Sequence, residues 1–307
     1  MTFQMGIHRR KIRPSELRKT WLAYIQYRHG QVSPSTFKRD YGQITKRIQR
    51  LCKDAPYLRN AIAIRGWFME RYAVSTTKST LVQFSACCKW AVRSELMASD
   101  PFTGLAGELR LPPKDPNAYR AFTADERAII INAIDEDDRF FGPWVRFLFW
   151  TGARPEEAAA LRWEHVALDF SRLTIWEAEP ADTKIRQRTK NYRSTDFPCN
   201  RRLQLLLKSI IPARLEPDLR VFRGKSPRLY LNYIGFQTHH WRPVVLQLFE
   251  QGKVSFYGSQ YHARHTWITM ALKHMSIKDV SYLARVSPEV ILKHYADRER
   301  QVEIPEF

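Results

Sequence analysis

Beyond residue 150, three stretches of the chain carry residue types that could act on an anion. In Thr151-Gly-Ala-Arg-Pro-Glu-Glu157, Pro155 suits the first position of a helix and Glu156 and Glu157 suit its first turn. Arg154 is thereby set beside a helix N-terminus, where its fork and the helix dipole can both address an anion. In Gln260-Tyr261-His262-Ala-Arg264-His265-Thr266-Trp267, a helix aligns Tyr261 with Arg264 and His265 at i, i+3 and i+4, a polar cluster on one face. Ser287-Pro288-Glu289 then begins a short helix in which Ile291 and Leu292 can pack inward and Lys293-His294-Tyr295-Ala-Asp297 lies at the far end. Taken singly, each stretch has a plainer reading: a surface arginine at a helix start, a solvated face above Trp267, Ile268 and Ala271, and a packed tyrosine.

Competing chemistries find little footing. There is no G-x-G-x-x-G, and Gly224-Lys225-Ser226 resembles the end of a phosphate loop whose opening glycine would fall at Leu219. Nucleotide-driven chemistry is therefore unsupported. His239-His240 and the pair His262 and His265 lack a nearby acid or cysteine at zinc spacing, so neither metal nor cofactor is expected. Cys52, Cys87, Cys88 and Cys199 form no C-x-x-C pair and fit reduced thiols.

The elements that must position those residues follow from composition and periodicity. The chain has 307 residues, 44% of them hydrophobic and 13% aromatic, enough for about two domains with real cores. Its formal net charge is +19, and residues 1–120 alone carry 22 Lys and Arg against 8 Asp and Glu. A field concentrated in this way suits a polyanion held by counterion release, although solvated surface is the plainer alternative. The most apolar stretch, Phe140 to Trp150, is interrupted by Pro143 and Arg146, so no membrane span is expected. His8, Arg9, Arg10, Lys11 and Arg13 are followed by no apolar h-region, which predicts a cytoplasmic protein without a secretory signal.

Residues 1–14 read as a basic tail and 15–108 as a compact helical domain. Leu17, Trp21, Leu22, Tyr24 and Ile25 form one stripe, and Ser33-Pro34 opens a second helix with Tyr41, Ile44 and Ile48 on its face. Lys38, Arg39, Lys46, Arg47 and Arg50 give that helix a basic flank able to lie across phosphates. Two further helices are predicted, roughly from Leu58 to Tyr72 and from Ser75 or Thr76 to near Asp100-Pro101. Residues 109–121, with three prolines and no helical period, read as an extended linker. In 122–298, Thr123-Ala-Asp-Glu126 is a capping-box opening. Val166–Leu168, Leu173–Trp176 and Thr195–Phe197 predict short strands of a small antiparallel sheet, with mainly helix from about Asn232. The tail at 299–307 carries Val302, Ile304 and Phe307, which either cover a neighbouring surface or fray.

In order, Gly152-Ala-Arg154-x-x-Glu157, a lysine in a strand region, Arg264-His265-Thr266 and Tyr295 resemble the tyrosine recombinase (phage integrase) family. The resemblance spans about residues 15–298, including the Asp100-Pro101-Phe102 turn that closes the helical domain. It implies a mainly α, two-domain DNA clamp: a helical core-binding domain followed by a catalytic domain with a small antiparallel sheet. It also implies that Arg154 and Arg264 are the catalytic arginines, Lys190 in Thr189-Lys190-Asn191 the hairpin lysine, His265 the histidine after the second arginine, and Tyr295 the nucleophile. Two positions depart from the pattern. Tyr261 stands where the family has the first His of H-x-x-R-H, and Leu283-Ala284-Arg285 where it often has Leu-Gly-His.

What the resemblance implies is phosphodiester exchange, with the two arginine forks stabilising charge in the transition state. Lys190 would donate a proton to the departing sugar oxygen, leaving a 3′ phosphotyrosyl link and a free 5′ hydroxyl. Lys184, Arg186 and Arg188, in the same loop, read as phosphate contacts without chemistry. The implied partners are double-stranded DNA, three further copies in a homotetramer on paired sites, and accessory DNA-bending or directionality proteins. The implied setting is a prokaryotic or phage-encoded mobile element. With the first helix beginning by about Ser15, no further N-terminal arm-binding domain is expected. Two alternatives share parts of this pattern: a type IB topoisomerase, which would relax DNA lacking a specific site, and a DNA-binding relative inactivated through Tyr261 and Arg285.

Overall fold

The computed structural model describes residues 10–113, 115, 118–188, 194–216, 218–225 and 230–295. Lys190 and the tail at 299–307 lie outside the described residues, as do the first nine positions of the basic N-terminal tail. The chain divides into two compact units, residues 1–114 and 115–307.

The first unit is built from helices α1 (Pro14–Arg28), α2 (Gly42–Asp54), α3 (Ala61–Arg71) and α4 (Val74–Arg93). Pro14 takes the first position of α1, and Leu17, Trp21 and Tyr24 follow at helical spacing into the core. Ser33 Oγ accepts the Thr36 N–H at 3.1 Å, and a wide turn over Thr36–Tyr41 leads into α2. Trp21 Nε1 donates to Thr45 Oγ1 at 2.9 Å, so even the largest ring of the core has its polar atom satisfied. The turn after α4 is held by Asp100, which accepts from Ser85 Oγ at 2.5 Å and from the Phe102 N–H at 2.9 Å. Phe102 is thereby brought against Phe84, their centroids 5.1 Å apart, and closes the core.

The second unit begins with α5 (Ala124–Asp138), α6 (Gly142–Thr151) and α7 (Pro155–Ala160). Thr123 Oγ1 accepts the Glu126 N–H at 3.1 Å while Glu126 Oε2 accepts the Thr123 N–H at 2.7 Å, the reciprocal cap expected from the sequence. Strand β1 (Arg172–Ile175) pairs antiparallel with β4 (Thr195–Pro198), and β2 (Glu177–Ala178) with β3 (Gln187–Arg188). Val166–Leu168 is not a strand: only Val166 bridges, to Leu173, because Phe170 at φ 60° turns the chain back and leaves Leu168 exposed. Helix α8 (Arg201–Ile210) follows.

From Tyr233 onward the described residues are mainly helical, as α9 (Tyr233–Phe236), α10 (Arg242–Glu250), α11 (His262–Ala271), α12 (Ile277–Ala284) and α13 (Pro288–His294). Trp144, Phe147, Leu148, Phe236 and Trp241 form the centre of this core. Burying each such side chain contributes roughly 1.5–3 kcal/mol, which lets α6 serve as a fixed platform. A smaller cluster of Ile268, Val280, Ala284 and Ile291 ties α11, α12 and α13 together. Among the described residues no helix is long and apolar enough to cross a membrane.

Candidate active site

Arg154 owes its place to the break between α6 and α7. Gly152 ends α6 at φ 61°, a left-handed conformation that favours glycine, and a Cβ there would sit 2.8 Å from Trp267 Cε3. The chain therefore turns sharply, Pro155 starts α7, and Arg154 stands half-buried at the junction. Its backbone N–H donates to Glu157 Oε2 at 2.9 Å, and its Nη1 donates to Glu157 Oε1 at 2.5 Å. Nη2 donates to the Arg285 carbonyl oxygen at 3.1 Å.

Arg264, on the buried face of α11, is anchored on the same two loops. Its Nη1 donates to the Gly152 carbonyl at 2.8 Å, and its Nη2 to the Ala284 carbonyl. Burial, followed by repulsion from Arg154, lowers its pKa to about 10, still far above neutrality. Glu157 is the counter-charge. Burial would raise its carboxyl, yet Arg285, Arg154 and Arg264 hold it at about 2. Arg285 closes α12 at φ 55° and points its side chain inward, donating to Glu157 Oε2 from Nε at 3.1 Å and from Nη2 at 2.9 Å. Its Nη1 donates to the Leu283 carbonyl at 2.6 Å. Three guanidiniums thus surround one buried carboxylate.

Next to Arg264 along α11, His265 places its Nδ1 2.5 Å from Tyr295 Oη. Burial first, then His262, Arg264 and His294, lowers the His265 pKa to about 3, so the ring is neutral near pH 7. Burial raises the Tyr295 hydroxyl above its ordinary value against the pull of Arg264, so the phenol keeps its proton until a base takes it. Tyr295 follows directly on α13, its backbone N–H bonded to the Ile291 carbonyl at 2.8 Å. Tyr261, more than a third exposed at the start of α11, brings its ring within 5.2 Å of that of His265. His262 lies on the other side, its ring 5.2 Å from His265 and packed toward Phe122 and Phe256.

Arg154, Arg264, His265, Tyr261, Arg285 and Tyr295 are therefore brought together in one unit. The loop cations are spread along the hairpin. Lys184 Nζ lies 4.2 Å from the Tyr230 ring centroid, Arg186 pairs with Glu177 at 3.4 Å, and Arg188 lies 5.9 Å from the Trp176 ring. In the first unit Lys38, Arg39, Lys46 and Arg50 are exposed, with Arg39 paired to Asp40 and Arg50 to Asp54. Arg47 differs: it donates to Thr80 Oγ1 at 3.1 Å and lies 5.6 Å from the Tyr72 ring. It borders the buried stripe of Ile44, Ile48 and Leu51, and so turns into the unit.

Sequence reasoning misses Tyr119. It comes from the proline-rich stretch read as linker, and its ring contacts those of His265, His294 and Tyr295. An unperiodic segment offers no signal for such a contact. Among the described residues, no group of three or more His, Cys, Asp or Glu is arranged to hold a metal ion.

Neither a protein-family model nor a curated protein matches the sequence. In structure the chain is similar to the Tn1549 transposon integrase, residues 82–397, solved in complex with circular intermediate DNA. The TM-score is 0.72 at 13% identity, covering 92% of this chain and 96% of that one. It is also similar to lambda integrase, residues 75–356, solved as a dimer bound to a COC′ core site, with a TM-score of 0.64 at 16% identity over 94% and 98% of the two chains. Both are integrases, and the likeness to them is one of fold, mainly helical with small antiparallel sheets.

Proposed function

We propose that the chain is a site-specific DNA recombinase of the integrase type, cleaving and rejoining duplex DNA through a 3′-phosphotyrosyl intermediate. The observation that carries this reading is the 2.5 Å approach of Tyr295 Oη to His265 Nδ1, beside two arginines anchored on the same loops. In the proposed step Arg154 and Arg264 take the non-bridging oxygens of a phosphodiester. Tyr295 Oη forms a bond to phosphorus as the bond from phosphorus to the 5′ oxygen breaks. The phenol proton passes to His265 Nδ1, and Lys190 gives a proton to the departing 5′ oxygen. Reversal of these transfers rejoins a strand, and because one phosphate ester replaces another, no nucleotide is consumed.

The electrostatics support this division of labour. A neutral His265 can accept a proton; burial is the main cause of its low basicity, and an arriving phosphodiester, being an anion, offsets the smaller part that comes from His262, Arg264 and His294. Arg285 is committed to Glu157, so its proposed part is to hold Glu157 and through it Arg154. Tyr261 is proposed to line the phosphate site without serving as the base, and Lys184, Arg186 and Arg188 to contact phosphates. An inactivated relative would have little reason to keep a tyrosine hydroxyl and a neutral histidine in contact.

Double-stranded DNA is the proposed partner, supported by the net charge of +14 in residues 1–120 and by the DNA on which both similar integrases were solved. We propose further that residues 15–108 act as the core-binding domain and 122–298 as the catalytic domain, with four copies on paired sites and accessory bending or directionality proteins. A phage or other mobile element in a prokaryotic cytoplasm is the proposed setting.

The test is Tyr295→Phe on labelled suicide substrates, read on a denaturing gel. The expected result is unchanged DNA binding with no covalent adduct. An undiminished adduct would overturn the assignment and turn attention to Tyr261, since Tyr282 Oη is engaged by the Asp196 N–H and Tyr257 Oη by Gln237.

A further inference from the structure

Helix α13 is seven residues long and buries only Ile291, a short element on which to aim a nucleophile. Lateral contacts must supply what the helix cannot. The ring of Tyr119 lies flat on His294, with centroids 3.9 Å apart and planes 7° from parallel. The same ring meets Tyr295 edge to face at 5.7 Å and 83°, and His265 at 5.3 Å and 64°. One side chain thus touches the nucleophile, the residue before it, and the histidine bonded to its hydroxyl.

Tyr119 is itself held. Phe122, three residues on, is buried and stacks on Phe256 at 4.5 Å and 16°. Its N–H donates to Thr266 Oγ1 at 3.0 Å, next to His265 on α11. Arg120 lies 4.6 Å from the Phe256 ring. The segment is pinned across α11 at one end and presents Tyr119 to α13 at the other.

We infer that Tyr119 is a positioning residue for Tyr295: its ring, stacked on His294, fixes where the phenol oxygen meets His265. The inference rests on Tyr295 being the nucleophile. Stacking and edge contacts are provided by any six-membered aromatic ring of this size, so the hydroxyl of Tyr119 has no part in it.

The experiment compares Tyr119→Leu and Tyr119→Phe in the full chain. Single-turnover adduct formation on suicide DNA is expected to fall about ten- to a hundredfold in the leucine variant, as misplaced reacting groups lose rate. Equilibrium DNA binding should be unchanged, and the phenylalanine variant should stay within about twofold of wild type. In the DNA-free protein, the cross-relaxation between the Tyr295 and His265 rings should weaken in the leucine variant and persist in the phenylalanine variant, a readout that loss of the Tyr119 ring current does not itself alter. A leucine variant that reacts at the wild-type rate, or equal damage in both variants, overturns the inference. Were wild type to form no adduct, the recombinase reading would fall, and the cross-relaxation between the two rings would decide alone whether Tyr119 places Tyr295 against His265. Unchanged cross-relaxation in the leucine variant would then reject Tyr119 as the residue that positions Tyr295, and its loss would retain it.

Discussion

Arg285 and Glu157 meet in a buried fork: Nε and Nη2 of the guanidinium donate to the same carboxylate oxygen, at 3.1 and 2.9 Å. The other oxygen of Glu157 takes Arg154 Nη1 at 2.5 Å. The carboxylate is therefore a bridge between an arginine facing the proposed phosphate site and one that has turned its back on it. Both side chains of the fork are almost wholly removed from water. Neither charge could stand there alone.

Removing Arg285 should accordingly cost more than removing a surface arginine. Breaking a buried pair from one side is destabilising by about 3–5 kcal/mol, because the remaining charge stays buried. Arg285→Ala is expected to lower the thermal midpoint and to slow adduct formation as Glu157 and Arg154 readjust. Arg285→Lys keeps the charge but loses the two-donor geometry, so it should fall between. Thermal unfolding and single-turnover cleavage of both variants check this. An alanine variant with wild-type stability would mean that Arg285 does not brace the site.

The histidine that faces Tyr295 yields a prediction about pH. Folding lowers the His265 pKa from 6.5 to about 3, so between those values the unfolded chain holds the additional proton. Stability should therefore decline as pH falls from about 6.5 towards about 3, and His265→Gln should flatten that part of the curve. In the DNA-free protein, the His265 ring resonance is expected not to titrate between about pH 5 and 8. A midpoint near 6.5 in that spectrum would show an ordinary histidine and remove the basis for its neutrality.

The parts of this molecule that were legible in sequence are those set by neighbours along the chain. Thr123 with Glu126, Ser33 with Thr36, and Pro155 after Arg154 are local devices, and the structure forms each of them. The apolar stripes of α1 and α2 were legible for the same reason, except that Leu22, read into the α1 stripe, faces solvent. Tyr119 was not, since nothing in a proline-rich stretch says that its ring will stack on a residue 175 positions later. The direction of Arg285 was equally hidden. It depends on a left-handed cap and on a carboxylate 128 residues away. Phe170 shows the converse failure: Val166–Leu168 has the composition of a strand, yet one residue at positive φ bends the chain before a ladder can form.

The basic flank of α2 separates into two kinds of cation. Lys46 is exposed and Arg50 is exposed, whereas Arg47 reaches Thr80 and the Tyr72 ring. Lys46→Ala with Arg50→Ala is expected to weaken duplex binding and reduce the salt slope by about one for each phosphate no longer neutralised, leaving stability within about 0.5 kcal/mol. Arg47→Ala should instead lower stability, by about 1 kcal/mol, because a hydrogen bond and ring packing disappear together. Binding at several salt concentrations, together with denaturant melts, separates the two. Equal salt slopes for wild type and the double variant would leave these charges as solvated surface.

Gly152 offers the sharpest test of how the two arginines are aimed. Its φ of 61° disfavours any residue with a Cβ, and the added carbon of Gly152→Ala would lie 2.8 Å from Trp267 Cε3, well inside ordinary van der Waals distance. The backbone strain alone is of order 1 kcal/mol, and the clash must be relieved by moving either the indole or the turn. The turn cannot move harmlessly, because the Gly152 carbonyl accepts Arg264 Nη1 at 2.8 Å and Arg154 follows two residues later. Displacing it shifts both proposed phosphate ligands at once. Gly152→Ala is therefore expected to lower stability by about 1–3 kcal/mol and to cut adduct formation by a larger factor than DNA binding, since the phosphate contacts proposed for the basic first unit are left in place. Trp267→Leu in the same chain removes the contacts to the indole ring while leaving the 3.1 Å approach to the Cβ of residue 267, so it should restore only part of the stability and leave the strain of the positive φ in place. Thermal melts of the single and double variants, with adduct formation at saturating DNA, decide the matter. A Gly152→Ala enzyme that cleaves at the wild-type rate would show that the α6–α7 turn does not aim Arg154 and Arg264.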